Sequence, residues 1–305
     1  MLRTDEAQLT YGTKMNSPLE LSQLPDVQAR PDHRNLRIDA VGIKAVRMPV
    51  SIRSGRTLLP TIATFSMNVS LPAARKGTHM SRFIELLEDR TEALDQQRFK
   101  VMLSDMLQRL DAQSGEIEMC FPWFVRKTAP VSRVQSRLDH EVRWRARASD
   151  DGRCSFSIRI TVPATSLCPC SKEISAYGAH NQRSQISIEA ELDGEMAIDE
   201  LIAIAERSAS CEVYGLLKRV DEKYVTELAY ENPKFAEDLV RDVALELNAD
   251  RRVLSYVVEA ENFESIHNHS AFARLCRQVP AVQPVATGRG PGQPPALSLA
   301  RTAER

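Results

Sequence analysis

The feature that most constrains this chain is a succession of strand-like and helix-like runs that occurs twice. The first round, residues 38–149, has two β-like runs, two helical runs and two more β-like runs. The second round, residues 154–262, has two β-like runs, two helical runs and one β-like run before a short tail. Since the two halves share little sequence identity, the repeat rests on element order alone. That order, ββααββ taken twice, predicts an α+β fold of two tandem units.

Hydrophobic periodicity supports the individual elements. Apolar side chains recur at helical spacing in residues 95–113 and 232–248. The two rows are Phe99, Leu103, Met106 and Leu110, and Phe235, Leu239, Val243 and Leu247. Residues 184–192 alternate apolar and polar side chains, which is typical of a half-buried strand. Asp193 and Gly194 then predict a turn, and Pro233 suits a first helical turn.

The 305 residues divide into four predicted segments. Residues 1–34 are polar and irregular, which is typical of a flexible arm. Residues 279–305 are rich in Pro, Gly and Ala and lack aromatic residues, which predicts a disordered tail. Between them we expect a first unit at 35–150 and a second at 151–278, the second with most of the site residues.

Composition excludes several classes of protein. The net charge of −1 argues against a nucleic-acid-binding surface, although a local basic pocket for a phosphorylated small molecule remains compatible with it. No stretch reaches the roughly 18 apolar residues of a membrane span, and the N-terminus has no pattern of a secretory signal. The six cysteines are scattered through a chain that does not need disulfides. We therefore expect a cytoplasmic protein with reduced thiols.

Reactive side chains are concentrated in residues 168–185, directly after a β-like run. Cys170 and His180 could bind zinc or a similar divalent ion, because thiolate and imidazole are standard ligands. Pro169 favours an extended Cys168, and in an extended segment Cys168 and Cys170 point to the same side. The same segment also fits a nucleophile site, or a polar connection with a buried thiol.

Other polar clusters add to these candidates. Glu222, between the second pair of helices, could complete a Cys/His/Glu metal site, or could belong to a solvated charged loop. His267 and His269 share one side of an extended segment and suit proton transfer near neutral pH, unless they are simply exposed. Glu237 should point away from the apolar row of its helix. It is then either solvated or free to bind the N–H groups of an aminopyrimidine ring at an interface.

A basic segment precedes the first helix. Residues 75–82 contain Arg75, Lys76, His79 and Arg82. Basic groups and free N–H donors at the start of a helix suit a phosphate. The alternative is a capping segment, with Thr78 or Ser81 as the cap.

Taken together, these motifs resemble GTP cyclohydrolase I of the type IB family. The matching stretches are TSLCPCSKEISAYGAHNQRSQ, KGTHMSRF, DEKYVTE, YENPKFAEDLVRDV and ESIHNHSAF, in the family's order over roughly residues 30–276. The resemblance implies the tunnelling fold: antiparallel sheets with paired helices on one face, whose strands join across subunits into barrels. It also implies a homotetramer with active sites at subunit interfaces.

The activity implied by this resemblance is conversion of GTP and water to formate and 7,8-dihydroneopterin triphosphate, the first step of the pterin branch leading to tetrahydrofolate. The implied metal ligands are Cys170, His180 and Glu222, with Cys168 either supporting these ligands or in a structural role. The resemblance implies Zn, Mn or Fe as the ion, and a Cys/His/carboxylate set is indeed less selective for zinc than a site of several thiolates.

The remaining implied roles concern the substrate. Glu237 would bind the guanine ring, and His267 and His269 would transfer protons. Lys172 and Arg183, with Arg82 or Lys76 of a neighbouring unit, would bind the triphosphate. Two alternatives stay open: a nitrile reductase of the same fold in 7-deazaguanine metabolism, with a cysteine nucleophile and NADPH, and a non-catalytic module that binds pterin or metal.

Overall fold

The structure, a computed structural model, describes residues 25–90 and 92–278. The predicted tail at 279–305 and the predicted arm up to residue 24 lie outside the described residues. Residues 25–34 run beside residues 74–77, and Lys76 N–H donates to the carbonyl of Arg30 at 3.1 Å. A short bridge between Pro31 and Arg75 joins the same two segments.

The first half follows the predicted order. Its elements are β1 (Ile38–Ser54), β2 (Thr57–Leu71), α1 (Ser81–Glu88), α2 (Gln96–Leu110), β3 (Gly115–Thr128) and β4 (Gln135–Ala148). Helix α2 begins where the Asp95 side chain accepts the N–H of Arg98, and it ends at Asp111 in the left-handed conformation. Its predicted apolar row is confirmed, since all four side chains are buried. Burial of each stabilises the fold by about 1.5–3 kcal/mol.

The second half has the same succession with additions. Its elements are β5 (Cys154–Leu167), α3 (Pro169–Ile174), β6 (Asn181–Leu192), α4 (Ile198–Ser208), β7 (Cys211–Glu212), α5 (Arg219–Glu231), α6 (Ala236–Ala249), β8 (Val253–Asn262) and β9 (Ala271–Arg277). The sequence left β9 as a tail, and did not predict α3, β7 or α5. Helix α6 begins at Ala236, so Pro233 precedes the helix instead of lying in its first turn.

The described strands form one antiparallel sheet in the order β1-β2-β3-β4-β5-β6-β8-β9, with β7 beside β5. Strands β4 and β5 pair from Glu141–Thr161 to Ala148–Cys154 and join the two halves. The helices cover one face, where Trp123, Trp144 and Phe156 are almost completely buried. The α+β class with antiparallel strands is therefore confirmed. The division into units at residue 150 remains a prediction.

The opposite face of the sheet is charged. Arg145 bonds to Glu118 and Glu189, and Arg159 bonds to Glu189 and Glu259. The two edge strands are β1 and β9. Among the described residues, none of the helices combines the length and the apolar character needed to traverse a bilayer.

Candidate active site

The candidate site begins where β5 and β6 meet. Leu167, the last residue of β5, pairs with Asn181, the first residue of β6. Beyond that pair the N–H of Cys168 donates to the carbonyl of His180 at 3.1 Å, which extends the ladder by one position. Residues opposite each other on antiparallel strands have Cβ atoms roughly 4.5–5.5 Å apart. The fold therefore places Cys168 and His180 opposite each other at the end of the β5–β6 ladder.

Helix α3 separates the two cysteines. Pro169 occupies its first turn, and the Cys168 sulfur accepts the N–H of Ser171 at 3.4 Å. Cys170 lies inside this helix and is exposed. The sequence predicted that Cys168 and Cys170 lie in an extended segment with both thiols on one side. This prediction is wrong, because the chain becomes helical directly after Cys168.

The ring of His180 is held on one side. Its Nδ1 atom lies 3.0 Å from Oε1 of Gln182 and 3.8 Å from Oε2 of Glu264. Both His180 and Glu264 are mostly buried, with side chains 13% and 11% exposed. Within residues 25–90 and 92–278, nothing hydrogen-bonds the other ring nitrogen, Nε2. That nitrogen is free to bind a cation or a substrate.

Glu264 connects His180 to the predicted histidine pair. It lies in the segment between β8 and β9, as do His267 and His269. The two histidine rings stack with centroids 5.3 Å apart and planes at 13°, and both are exposed. The Phe263 N–H donates to the carbonyl of Arg183 at 2.9 Å, so this segment is fastened to β6. The fold thus brings the histidine pair to the same end of the sheet as His180.

Glu222 lies in the first turn of α5 and is exposed. Its neighbour Asp221 is fully buried. Asp221 accepts the backbone N–H groups of Val131, Ser132 and Lys218, each at 2.8 Å. The charged run is therefore the start of a helix pinned to the β3–β4 turn, and the alternative of a solvated loop is wrong. Glu222 projects from a fixed helix end.

The hydrogen bonds of Asp221 predict a pH-dependent stability. Burial alone would raise the pKa of Asp221, but the bonds from Ser132, Lys218 and Val131 outweigh it and hold that pKa well below its usual range. The carboxylate therefore stabilises the fold above pH about 4, and this stabilisation is lost as pH falls towards the lowered pKa. We expect Asp221→Ala to lower Tm by several degrees at neutral pH, and by progressively less in acid.

Thermal unfolding followed by circular dichroism checks this expectation. Asp221→Asn is the matched variant: it keeps one acceptor oxygen, but its amide N–H₂ faces either the N–H groups of Val131 and Ser132 or the Ser132 hydroxyl and the Lys218 N–H. Its Tm should therefore be intermediate. A Tm equal to wild type for Asp221→Ala would show that these bonds do not hold the turn against α5.

The predicted substrate residues are more dispersed. Glu237 lies in the first turn of α6 and is exposed, as its position outside the apolar row predicts. Lys172 donates to the carbonyl of Tyr230 at 2.5 Å and lies 4.5 Å above the centre of that ring. Arg183 is exposed on β6. These three residues belong to the second half, near the junction of β5 and β6 or on the helices that follow it.

Lys76 and Arg82 belong to the first half. Lys76 is exposed, whereas Arg82 donates to the carbonyl of Arg109 at 2.7 Å, at the end of α2. Neither Thr78 nor Ser81 caps α1, whose N-cap position is Met80 without a side-chain bond. The backbone N–H groups of Arg82 and Phe83 already donate to the carbonyls of His79 and Met80, each at 3.2 Å. The start of α1 therefore gives no structural support to the predicted anion site, and the Arg82 side chain also has a structural partner.

The described residues of one chain contain no group of three or more His, Cys, Asp and Glu side chains arranged to hold a metal ion. Cys170, His180 and Glu222 are thus not gathered within this chain, and their role as ligands stays a prediction. The donor types do fit a divalent ion, since thiolate, imidazole and carboxylate are its usual ligands.

Sequence reasoning missed two residues of this site, Gln182 and Glu264. Gln182 could have been found, because residues 180 and 182 face the same side of a strand. Glu264 gave no such signal, since only the pairing of β6 with β8 brings it to His180.

The model of the family "Type I GTP cyclohydrolase folE2" matches residues 24–273. The chain belongs to this family. A GTP cyclohydrolase FolE2 of Paraburkholderia xenovorans is 59% identical over 255 residues, covering 83% of this chain and 95% of the relative. One of Herminiimonas arsenicoxydans is 55% identical, covering 84% and 98%. The predicted assignment to the type I cyclohydrolases is confirmed.

Among solved structures, the chain is similar to the uricase of Arthrobacter globiformis. The identity is 10% and the TM-score is 0.45, over 83% of this chain and 96% of the uricase. A similarity at this level supports no conclusion about the function of this chain.

Proposed function

We propose that this FolE2 chain is a type IB GTP cyclohydrolase I, which converts GTP and water to 7,8-dihydroneopterin triphosphate and formate. The observation that carries the proposal is the family match over residues 24–273, in which the motif around Cys168 and His180 forms a paired, partly buried junction. GTP is accordingly the substrate, and the cytoplasm is the proposed location.

A divalent metal ion, Zn, Mn or Fe, is part of the proposal. His180 and Glu222 are proposed ligands, with a thiolate from Cys170 or Cys168. The contacts favour Cys168, because it lies opposite His180 and its sulfur accepts an N–H, whereas Cys170 is exposed on α3. Such an ion would supply an activated water at neutral pH for hydrolysis at C8 of the purine.

The chain's own residues would bind the substrate and move its protons. Glu237 is proposed to accept the N–H groups of the guanine ring, since its exposed carboxylate is available for a ligand. His267 or His269 would protonate the imidazole nitrogen of the purine, so that the ring opens after attack. Lys172 and Arg183, with Lys76 or Arg82 of a neighbouring subunit, are proposed to bind the triphosphate.

Assembly into a homotetramer with interfacial sites is also proposed. Two observations support it. The sheet ends in the edge strands β1 and β9, and an edge strand presents unpaired backbone groups for another chain. The three predicted ligands are not gathered within one chain, as an interfacial site would require. Closure of a barrel across subunits would pair the edge strands and would bring the ligands of an interfacial site together.

Formate release from GTP tests the function. Full-length protein supplied with Mn²⁺, Zn²⁺ or Fe²⁺ is expected to release one formate per GTP consumed. ATP is the matched control and should not react, because adenine lacks the 2-amino group and the N1–H of guanine that Glu237 would bind. Metal-replete protein that binds GTP without releasing formate would indicate a binding module. NADPH-dependent reduction of a 7-deazaguanine nitrile would support the reductase instead.

A further inference from the structure

A row of polar side chains runs inward from His180. Gln182 Oε1 is 3.0 Å from His180 Nδ1, and Gln182 Nε2 is 2.7 Å from the hydroxyl of Ser166. That hydroxyl is 2.8 Å from Ser184 Oγ, which is 2.7 Å from Oδ1 of Asn262. The row crosses three neighbouring strands, β5, β6 and β8.

These side chains are almost completely buried. Ser166 and Ser184 are 0% exposed, Asn262 is 3% exposed and Gln182 is 7% exposed. A buried polar group without a partner strongly destabilises a fold, so apolar residues would be the simpler choice at these positions. Every link of this row is instead made. The row reaches the partly exposed His180 at its outer end.

The donors and acceptors along the row fix the direction in which its hydrogen bonds are donated. A carbonyl oxygen can only accept, so Ser184 donates to Asn262 Oδ1 and must accept from Ser166. Ser166 then accepts from Gln182 Nε2, which leaves Gln182 Oε1 to accept from the His180 ring. The carboxylate of Glu264, 3.8 Å from the same Nδ1 atom, is an independent acceptor and favours the same direction.

We propose that Gln182, Ser166, Ser184 and Asn262 are positioning residues, which keep the proton of His180 on Nδ1 and turn the lone pair of Nε2 towards a bound cation. The inference rests on the proposed function in taking His180 as a metal ligand. Ligating histidines generally donate their second ring nitrogen to an acceptor, which fixes tautomer and orientation. Here the acceptor is an amide, itself held by buried hydroxyls.

Nuclear magnetic resonance of the metal-free protein tests the tautomer without any catalysis. The protein is labelled with ¹⁵N in its six histidines, and the His180 signals are identified by their loss in His180→Ala. At mildly alkaline pH, where imidazole is neutral, two-bond ¹H–¹⁵N correlations should show a protonated Nδ1 and an unprotonated Nε2. A protonated Nε2 in the wild-type protein would overturn the proposal.

Zinc titration of variants tests the effect on binding. Gln182→Leu removes the acceptor and should weaken Zn²⁺ binding by about 10- to 100-fold, with both tautomers populated. Ser184→Ala interrupts the row further from the ring and should act in the same direction. Its control is Ser187→Ala, on the same strand: Ser187 bonds to Thr161 at 3.2 Å on the opposite face of the sheet. This variant should bind Zn²⁺ like wild type.

The two proposals fail separately. If His180→Ala binds Zn²⁺ as tightly as wild type, His180 is not a ligand and the metal site is wrong. The tautomer measurement then still decides whether the row fixes the ring. Equal Zn²⁺ affinity and equal tautomer populations in Gln182→Leu, Ser184→Ala and Ser187→Ala would refute the positioning role. This holds even if the wild-type protein releases formate from GTP, so the positioning role can fail while the proposed function stands.

Discussion

Cys168→Ala is expected to lose its bound divalent ion and to reduce formate release by more than the roughly 100-fold that loss of an outer-shell partner causes. The reason is the strand pairing, which places Cys168 beside His180, and the hydrogen bond that the Cys168 sulfur accepts from the Ser171 N–H. Cys170→Ala is expected to keep its metal, because that side chain is exposed in the first turn of α3. Metal analysis of the purified proteins and a formate assay measure both effects.

Cys154→Ala is the matched control, since Cys154 is an exposed thiol at the far end of β5, the strand that precedes both cysteines. It should retain wild-type metal content and turnover. The reverse pattern, with metal lost in Cys170→Ala and kept in Cys168→Ala, would establish Cys170 as the ligand, as the sequence motif predicted. Loss of metal in neither variant would exclude both thiols.

Glu237→Ala is expected to lower kcat/KM for GTP by about 10- to 150-fold while leaving the metal content unchanged. A hydrogen bond to a charged partner contributes free energy of that order, and Glu237 is proposed to make such bonds to the guanine ring. The exposed position in the first turn of α6 makes a structural role for the side chain small. Steady-state kinetics, with metal analysis of the same preparation, measures the effect.

Glu246→Ala serves as the control for this variant. Glu246 also lies on α6 and forms an exposed ion pair with Arg207, which contributes little to stability. Its kcat/KM should equal that of wild type. Loss of metal in Glu237→Ala would instead make Glu237 a ligand, and unchanged kinetics would remove it from the binding site.

Much of the fold could be predicted because its signals are local. The apolar row of α2 and the alternation of β6 each reflect one buried face, and burial of that face is what the structure contains. Strand β9 was missed because its apolar positions, such as Ala273 and Leu275, are few and only partly buried. Helix α5 was missed because only Asp221 and Ala229 of its residues are buried, so its apolar pattern is weak.

The sequence predicted which residue types belong to the candidate site. It predicted much less well how these residues are arranged in space. The motif around Cys168 and His180 identified the chemistry, but the choice between Cys168 and Cys170 depends on where the chain changes from strand to helix. Pro169 is compatible with either structure at the next residue. The contact between Cys168 and His180 follows from the register of β5 and β6, which is set over the whole length of both strands.

The sequence by itself determined the order of the main strands and helices, without α3, β7, α5 and β9, together with their apolar faces and the family. Each of these is written in short-range patterns of residue type. Only the tertiary structure decided which polar groups meet. Asp221 holds the β3–β4 turn from 90 positions away along the chain, and Glu264 reaches His180 from the far end of β8. Such contacts depend on strand register and helix placement, which are set by the packing of the core as a whole and leave no periodic trace at the residues concerned.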